Sequence, residues 1–370
     1  ILFYGDSPDE WKWNEDKDMY LFLRNLYSRH TCYFLTYGGN NGRRFEYQKT
    51  PTGEEVASVS TFVDYQAIEP SLYHLTKSGR QWFGDRFDTQ TRYDYTFYFP
   101  DIVTTQNISI AYAVAARATA SSLFTITSND YEKTHSFRAV GSSLSSSYAF
   151  ESSAYTTVTP VNSNLTVTMR YSKPNSSAMA WMRFLYVNVH RQLKYNGGTL
   201  FFRYPTSTLN EEIAEFNITG SSKNFSLYNI TDPAEPKLVK YTTSGNTSKF
   251  KDFTIDNQEY VCFDGTDTKT VTYIGKVANQ NIHGLEIADM VIVYYRDFYN
   301  AADKLHNFHV NNGLKVHNIC IDDIYNEFSS GMQDVCAIRD MMRYWYKNSD
   351  ENNCPKYLLL VGDASYDPLD

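Results

Sequence analysis

Between residues 57 and 231, short β-branched and aromatic segments recur between clusters of Ser, Asn, Gly and Pro, at 58–65, 92–99, 107–115, 123–127, 136–140, 164–171, 182–189, 199–203 and 214–218. Strands of that length, punctuated by turn formers at that spacing, close into two packed sheets. The sequence therefore predicts a mainly β region with a jelly-roll-like sandwich. The 31 Tyr residues strengthen the reading, because a rigid amphipathic ring suits strands and wet binding surfaces. Residues Ser142 to Ser147 form a Ser-rich run between two such segments and read as a solvated loop rather than a linker. No internal repeat of 20–50 residues stands out.

Composition removes several classes. With 42% hydrophobic and 21% charged residues, the chain has too much apolar matter for disorder. Apolar runs such as 290–295 and 357–361 are far shorter than the roughly 20 residues of a membrane helix, so no membrane-spanning segment is expected. The balance of 34 Lys and Arg against 42 Asp and Glu gives −8, which argues against the basic face that nucleic acid requires. Cys32, Cys262, Cys320, Cys336 and Cys354 are odd in number and never paired as CxxC, indicating neither a disulfide framework nor a zinc ribbon. The sequence opens at Ile1 without a charged or apolar leader; any signal is expected to have been removed or to lie elsewhere.

Outside the sandwich the text changes twice. Residues 1–56 are aromatic and irregular, with a Gly38-Gly39-Asn40-Asn41-Gly42 turn between 31–36 and 44–48 that reads as a β-hairpin. Asp232-Pro233-Ala234-Glu235-Pro236 marks a boundary, since two prolines in four residues forbid a continuous element. The expected organisation is thus a hairpin-rich segment 1–56, a sandwich 57–232 and a β connector 233–285. Further strands are read in the connector at 238–242, 250–255, 259–263 and 270–274.

From residue 286 the period-two pattern gives way to strand–helix alternation. Residues 290–295 form a continuous apolar run suited to a buried parallel strand. Asn300 is placed as the cap of a helix with Ala302, Leu305 and Phe308 on one face and Gly313 past its end. Residues 315–321 return as a strand. Asp334 caps a second helix with Val335, Ile338, Met342 and Trp345 along one stripe, and 357–361 is another buried strand. Strand, helix, strand, helix, strand predicts a parallel α/β sheet with right-handed crossovers. Three strands, one bearing Leu358, Leu359 and Leu360, call for more cover than the sequence supplies, so the sheet reads as truncated.

Phosphate-loop, dinucleotide, zincin and hydrolase-elbow motifs are all missing. His283-Gly284 and Cys320 resemble a nucleophile–base pair only superficially, because the His precedes the first α/β strand while the Cys sits in the second. They are expected to be a loop histidine and a small core thiol. His306 and His309, three apart on a helix, are expected on a solvated face, with no metal site. Asp363 and Asp367 follow the last strand, at the carboxyl edge where α/β sites assemble, and are candidates for binding substrate or Ca²⁺. Asp is equally a good turn residue. Seven sequons begin at Asn107, Asn164, Asn175, Asn217, Asn224, Asn229 and Asn246; in an Asn- and Ser-rich β-protein many arise from composition alone.

Five runs, in order, carry a family resemblance: Asn279-Gln280-Asn281-Ile282-His283-Gly284, Ala288-Asp289-Met290-Val291-Ile292-Val293, Ile324 to Gly331, Ala337-Ile338-Arg339-Asp340, and Lys356 to Asp363. Together they resemble the start of a gingipain-type cysteine-peptidase domain. Upstream, Leu2-Phe3-Tyr4-Gly5, Ser78 to Gly84 and Asn229 to Pro233 are similar to the β-rich region that precedes that domain in sortase members of the family. The resemblance implies a caspase-like fold in which a His-Gly and a later Cys in a second subdomain form the dyad. The matched residues stop in the first subdomain, so no catalytic residue is carried over to this chain. It further implies removal of C-terminal sorting domains from secreted cargo, transfer of cargo to a surface glycolipid, and a bacterial cell-surface location. Cargo proteins and outer-membrane components of the type IX secretion system such as PorV are the implied partners, with no resident cofactor. Two other readings stand beside it: a non-catalytic module binding glycan or protein through Trp11, Trp13, Trp82 and the tyrosines, and a glycosylated ectodomain.

Overall fold

A computed structural model describes residues 2–77, 80–204, 212–220, 224–254, 258–351, 353–363, 365 and 367. The chain is mainly β, followed by a small α/β region. It divides into two compact units, one built from residues 1–4, 11–23 and 42–270, the other from 5–10, 24–41 and 271–370.

The first unit contains two sandwiches. In the first, one sheet runs Tyr131–Phe137, Ser122–Ser128, Asn164–Ser172, Arg92–Tyr98, and the facing sheet runs Phe150–Val158, Ile108–Arg117, Met179–Gln192, Thr61–Ile68, with antiparallel neighbours throughout. The alternation that made these segments legible does the packing: Leu165, Val167, Met169 and Tyr171 turn inward while their neighbours face solvent. Ile108–Arg117 is buried on both faces. Ile110, Tyr112 and Val114 enter the core between the sheets, whereas Ala111 packs under Met19 and Ala115 under Phe83, where small side chains leave room for that outer cover.

The second sandwich takes strands from both sides of the Pro233–Pro236 boundary. One sheet runs Thr199–Tyr204, Gln258–Phe263, Ser226–Asn229, Lys237–Leu238, Glu46–Tyr47; the other runs Thr242–Ser244, Thr247–Phe253, Ile213–Thr219, Ala57–Val59. Phe202, Phe216, Phe250 and Tyr260 fill the space between them. Asp252 is buried there and accepts hydrogen bonds from Tyr260 Oη at 2.7 Å and Gln48 Nε2 at 2.8 Å, so its charge is compensated by polar partners.

Several expectations fail for one reason: β-propensity supplies a strand former, not a partner. The hairpin across Gly38–Gly42 does not form. Residues 31–36 carry no strand, and Glu46–Tyr47 pairs in parallel with Lys237–Leu238 instead. Residues 270–274 are likewise unpaired, with Val271, Tyr273 and Ile274 exposed. The segment read at 136–140 is the end of Tyr131–Phe137, and Phe150–Val158 is a strand that its Ser- and Thr-rich text concealed.

Strands β1 (Met290–Tyr294), β2 (Val316–Cys320) and β3 (Tyr357–Val361) are parallel in the order β2-β1-β3. Helix α1 (Tyr299–Asn311) packs Ala302 on the face bearing Met290 and Ile292. Helices α2 (Ile321–Phe328) and α3 (Cys336–Lys347) cover the opposite face, setting Ile324, Met341 and Trp345 against Val291 and Val293. Asp334 caps α3 as expected, its Oδ1 accepting the Cys336 N–H at 2.7 Å. Asn300 does not cap α1: the helix begins at Tyr299, no side chain caps it, and Leu305 and Phe308 are exposed rather than packed. Gly313 follows α1 with φ +88°, the left-handed stop that glycine supplies. The eight-residue α2 was not expected from sequence.

Candidate active-site region

The carboxyl ends of β1, β2 and β3 bring Tyr294, Cys320 and Val361 to one edge of the sheet. From there α1 leaves to one face and α2 to the other. The crossovers therefore diverge around β1, the arrangement in which α/β proteins assemble sites. Tyr295 N–H donates to Val361 O at 3.3 Å, extending the β1–β3 ladder to the edge. Asp363 lies exposed two residues past Val361, and Asp367 is half-buried, its backbone N–H donating to Ser365 Oγ at 3.0 Å. Residues 364, 366 and 368–370 lie outside the described residues. No three His, Cys, Asp or Glu side chains gather in metal-binding geometry among the described residues.

At the β2 end, Arg296 pairs with Asp322, with Nη2 at 2.5 Å and Nε at 3.0 Å from Oδ2. Cys320 Sγ lies 3.8 Å from the same Oδ2. Burial raises the Cys320 thiol above its ordinary range, as it does for Cys262 and Cys336. An activated nucleophile needs the opposite shift.

His283 has other partners. Its Nδ1 lies 2.6 Å from Glu327 Oε2, its ring stacks on Phe328 with centroids 4.3 Å apart, and Tyr344 meets it edge-on at 4.8 Å. Glu327 also accepts the Ile282 N–H at 2.6 Å, the His283 N–H at 3.1 Å and Gln280 Nε2 at 3.0 Å. Burial opposes the Glu327 charge, yet these donors outweigh it and hold the carboxyl below its usual range. Gly284 completes the turn, because Asn281 Oδ1 accepts its N–H at 2.9 Å and a Cβ there would stand 2.3 Å from the Asn281 amide. The His-Gly pair is thus explained by loop geometry. Among the described residues no hydrogen bond joins His283 to Cys320, in keeping with their separation in sequence. The ring lines a polar cleft of about 370 Å³ with Glu286, Lys315, Asn348 and Asn353.

The remaining candidates disperse. His306 and His309 lie half-buried on α1, with His306 Nδ1 3.4 Å from Asn307 Oδ1. Asn229 Nδ2 is committed to Gln48 Oε1 at 3.1 Å, Asn217 Nδ2 to Ser58 Oγ at 3.0 Å and the half-buried Asn175 Nδ2 to Thr119 Oγ1 at 3.1 Å, whereas Asn107, Asn164, Asn224 and Asn246 are exposed. Glu327, the hub of the 280–284 loop, was missed as a functional residue. It stands inside the family-like run 324–331, but nothing in that run reveals its distant donors.

Comparison with known proteins bears on the whole chain. No curated protein matches the sequence. A carbohydrate-binding module CBM36-1 domain of a xylanase from the hindgut metagenome of Trinervitermes trinervoides is 12% identical, covering 34% of this chain and 96% of its own, at a TM-score of 0.21. A CBM36 module in complex with calcium and xylotriose is 10% identical, covering 33% and 98%, at 0.22. Scores that low carry no argument. The crystal structure of dimeric latent PorU from Porphyromonas gingivalis, by contrast, is 20% identical and superposes with a TM-score of 0.82 over 99% of this chain and 36% of its own. Residues 283–370, the segment that holds His283, Cys320 and Asp363, match peptidase family C25. The chain thus has the fold of a stretch of PorU, spans about a third of that protein's length, and carries a C25-like segment at residues 283–370.

Proposed function

We propose that these 370 residues are the N-terminal portion of a cell-surface gingipain-type cysteine peptidase and sortase. In that reading the whole protein removes C-terminal sorting domains from secreted cargo and transfers the cargo to a surface glycolipid. The observation that carries it is the agreement, in one chain, between the PorU-like fold over 99% of the residues and the C25 match over 283–370. The α/β unit supplies the first part of the peptidase domain, 286–370, and the His/Cys dyad belongs to sequence beyond it. The β units hold or present cargo and meet outer-membrane components such as PorV. Asp363 and Asp367 are the residues of this segment assigned to substrate or Ca²⁺.

The glycan-binding alternative loses its tryptophans, although tyrosines such as Tyr37 and Tyr98 stay exposed. Trp11 stacks on Tyr65 at 4.0 Å, Trp13 meets Tyr20 edge-on at 4.9 Å, and Trp82 is half-buried against His74. No described helix is long and apolar enough to cross a membrane.

The test is the protein with its downstream sequence, incubated with cargo bearing a C-terminal sorting domain. Release of that domain, lost on replacing a downstream Cys or the His of a His-Gly pair, is the expected result. Absence of any cleavage, or cleavage that survives both replacements, overturns the proposal. Asp363→Asn in the same protein should reduce processing without a matching fall in melting temperature; unchanged processing leaves Asp363 a turn residue.

A further inference from the structure

His135 stands in Tyr131–Phe137, the rim strand of one sheet of the first sandwich, and is 8% exposed. Its Nδ1 lies 2.8 Å from Oγ of Ser152, in Phe150–Val158, the rim strand of the facing sheet. Its Nε2 lies 2.9 Å from Tyr112 Oη, which in turn lies 3.0 Å from Tyr131 Oη. Four side chains on three strands therefore form one hydrogen-bonded chain from sheet to sheet. We infer that this cluster is an acid-sensitive latch: protonation of His135 parts the two rim strands while the rest of the sandwich stays folded.

A neutral imidazole offers one donor and one acceptor, and either tautomer satisfies the chain, because Ser and Tyr hydroxyls serve in both roles. An imidazolium offers two donors, which Ser152 and Tyr112 can still accept. Hydrogen-bond count is therefore not what fails; an uncompensated buried charge is. Facing His135 are Tyr131 and Lys133 from its own strand, Tyr112 from Ile108–Arg117 and Ser152 from Phe150–Val158. The paired strand Ser122–Ser128 has no ionisable side chain. The carboxylate of Glu151 is engaged by Arg183 at 2.7 Å. Among the described residues no carboxylate acts on the ring, and burial, with Lys133 adding to it, keeps the imidazole below its ordinary titration range.

The rim is where the strain is released. Among the described residues Tyr131–Phe137 pairs only with Ser122–Ser128, and Phe150–Val158 only with Ile108–Arg117, so each strand parts by losing a single ladder. The segment between them carries the exposed Ser142–Ser145 run. The sign follows from the depressed value. The opened rim takes up a proton as pH falls below the ordinary histidine range, about 6.5, and the closed rim does not, so closure is favoured above that range and weakens below it.

Hydrogen exchange tests the latch, read at about pH 7.5 and about pH 5 with times corrected for intrinsic exchange. Peptides covering 131–137 and 150–158 should lose protection by roughly tenfold or more at the lower pH while 164–172 keeps its own. The His135→Gln variant, neutral at both values, should abolish the loss. Equal loss in all strands, no loss at the rim, or the same loss in the Gln variant overturns the inference. That last arm separates His135 from His190, a second imidazole lowered by burial in the same sandwich. If His135→Gln does not fold, NMR titration of the wild-type His135 ring decides: its midpoint should be depressed and coincide with rim opening, and a midpoint near the ordinary value without opening overturns the latch.

Discussion

Glu327 Oε2 lies 2.6 Å from His283 Nδ1, joining α2 to the loop that leads into β1 across 44 positions of sequence. The same carboxylate collects the Ile282 and His283 N–H groups and Gln280 Nε2. Charge-assisted bonds of this kind are the strong ones, and removing their acceptor leaves donors unpaired. Glu327→Gln should destabilise the α/β unit by about 2 kcal/mol in urea unfolding. Because the Glu327 pKa is depressed in the fold, its contribution is present above the unfolded carboxyl value, roughly pH 4.3, and is lost as pH falls through the folded value. The variant should therefore show a flatter acid limb. An unchanged midpoint and limb would mean that the loop is held elsewhere.

The 370-residue chain should show no peptidase activity of its own. Cys320 is raised by burial and has Asp322 rather than a histidine beside it, while His283 is committed to Glu327. Cys320→Ala and His283→Ala should leave peptide cleavage at background, and alkylation of Cys320 near neutral pH should be slower than for a free thiol. Cleavage that disappears in either variant would return the pair to consideration as a dyad.

What was legible in the sequence divides by the range of the interactions concerned. Asn164–Ser172 and Tyr357–Val361 were plain as strands because alternation or unbroken apolarity is local information, but Tyr357–Val361 is an exposed edge strand rather than the buried one its apolar run suggests. The Asp334 cap was plain for the same reason. Residues 31–36 and 270–274 have equally good strand formers, yet whether a partner lies alongside is decided by distant segments, and there it does not. Helix α2 has eight residues, too few for a period to declare itself. The role of Glu327 was invisible because its donors lie more than 40 residues upstream, and the candidate Asp363 was placed only by its position after β3.

If the chain is produced in a eukaryotic secretory host, glycan occupancy should follow side-chain commitment rather than motif. Asn246 and Asn164 are exposed, whereas Asn229 is half-buried in a strand with Nδ2 bonded to Gln48. Mass spectrometry should find glycan at the exposed sites and none at Asn229. Occupancy at Asn229 would mean that the modification precedes folding of the second sandwich.

The β3 strand separates what the α/β unit buries from what it leaves bare. Val291 and Val293 of β1, paired in register with Leu358 and Leu360, are buried under α2 and α3. Leu358 and Leu360 themselves are exposed, because α2 and α3 do not reach the outer strand. A side chain already in water forfeits little transfer energy when shortened, whereas one enclosed on both faces also leaves a cavity. Ile292→Ala should therefore cost about 2–4 kcal/mol, and Leu360→Thr, which keeps a β-former, should stay within about 0.5 kcal/mol while improving solubility. Parallel urea titrations of the two variants measure the difference. A Leu360→Thr cost approaching that of Ile292→Ala would show that a further element covers β3 in solution.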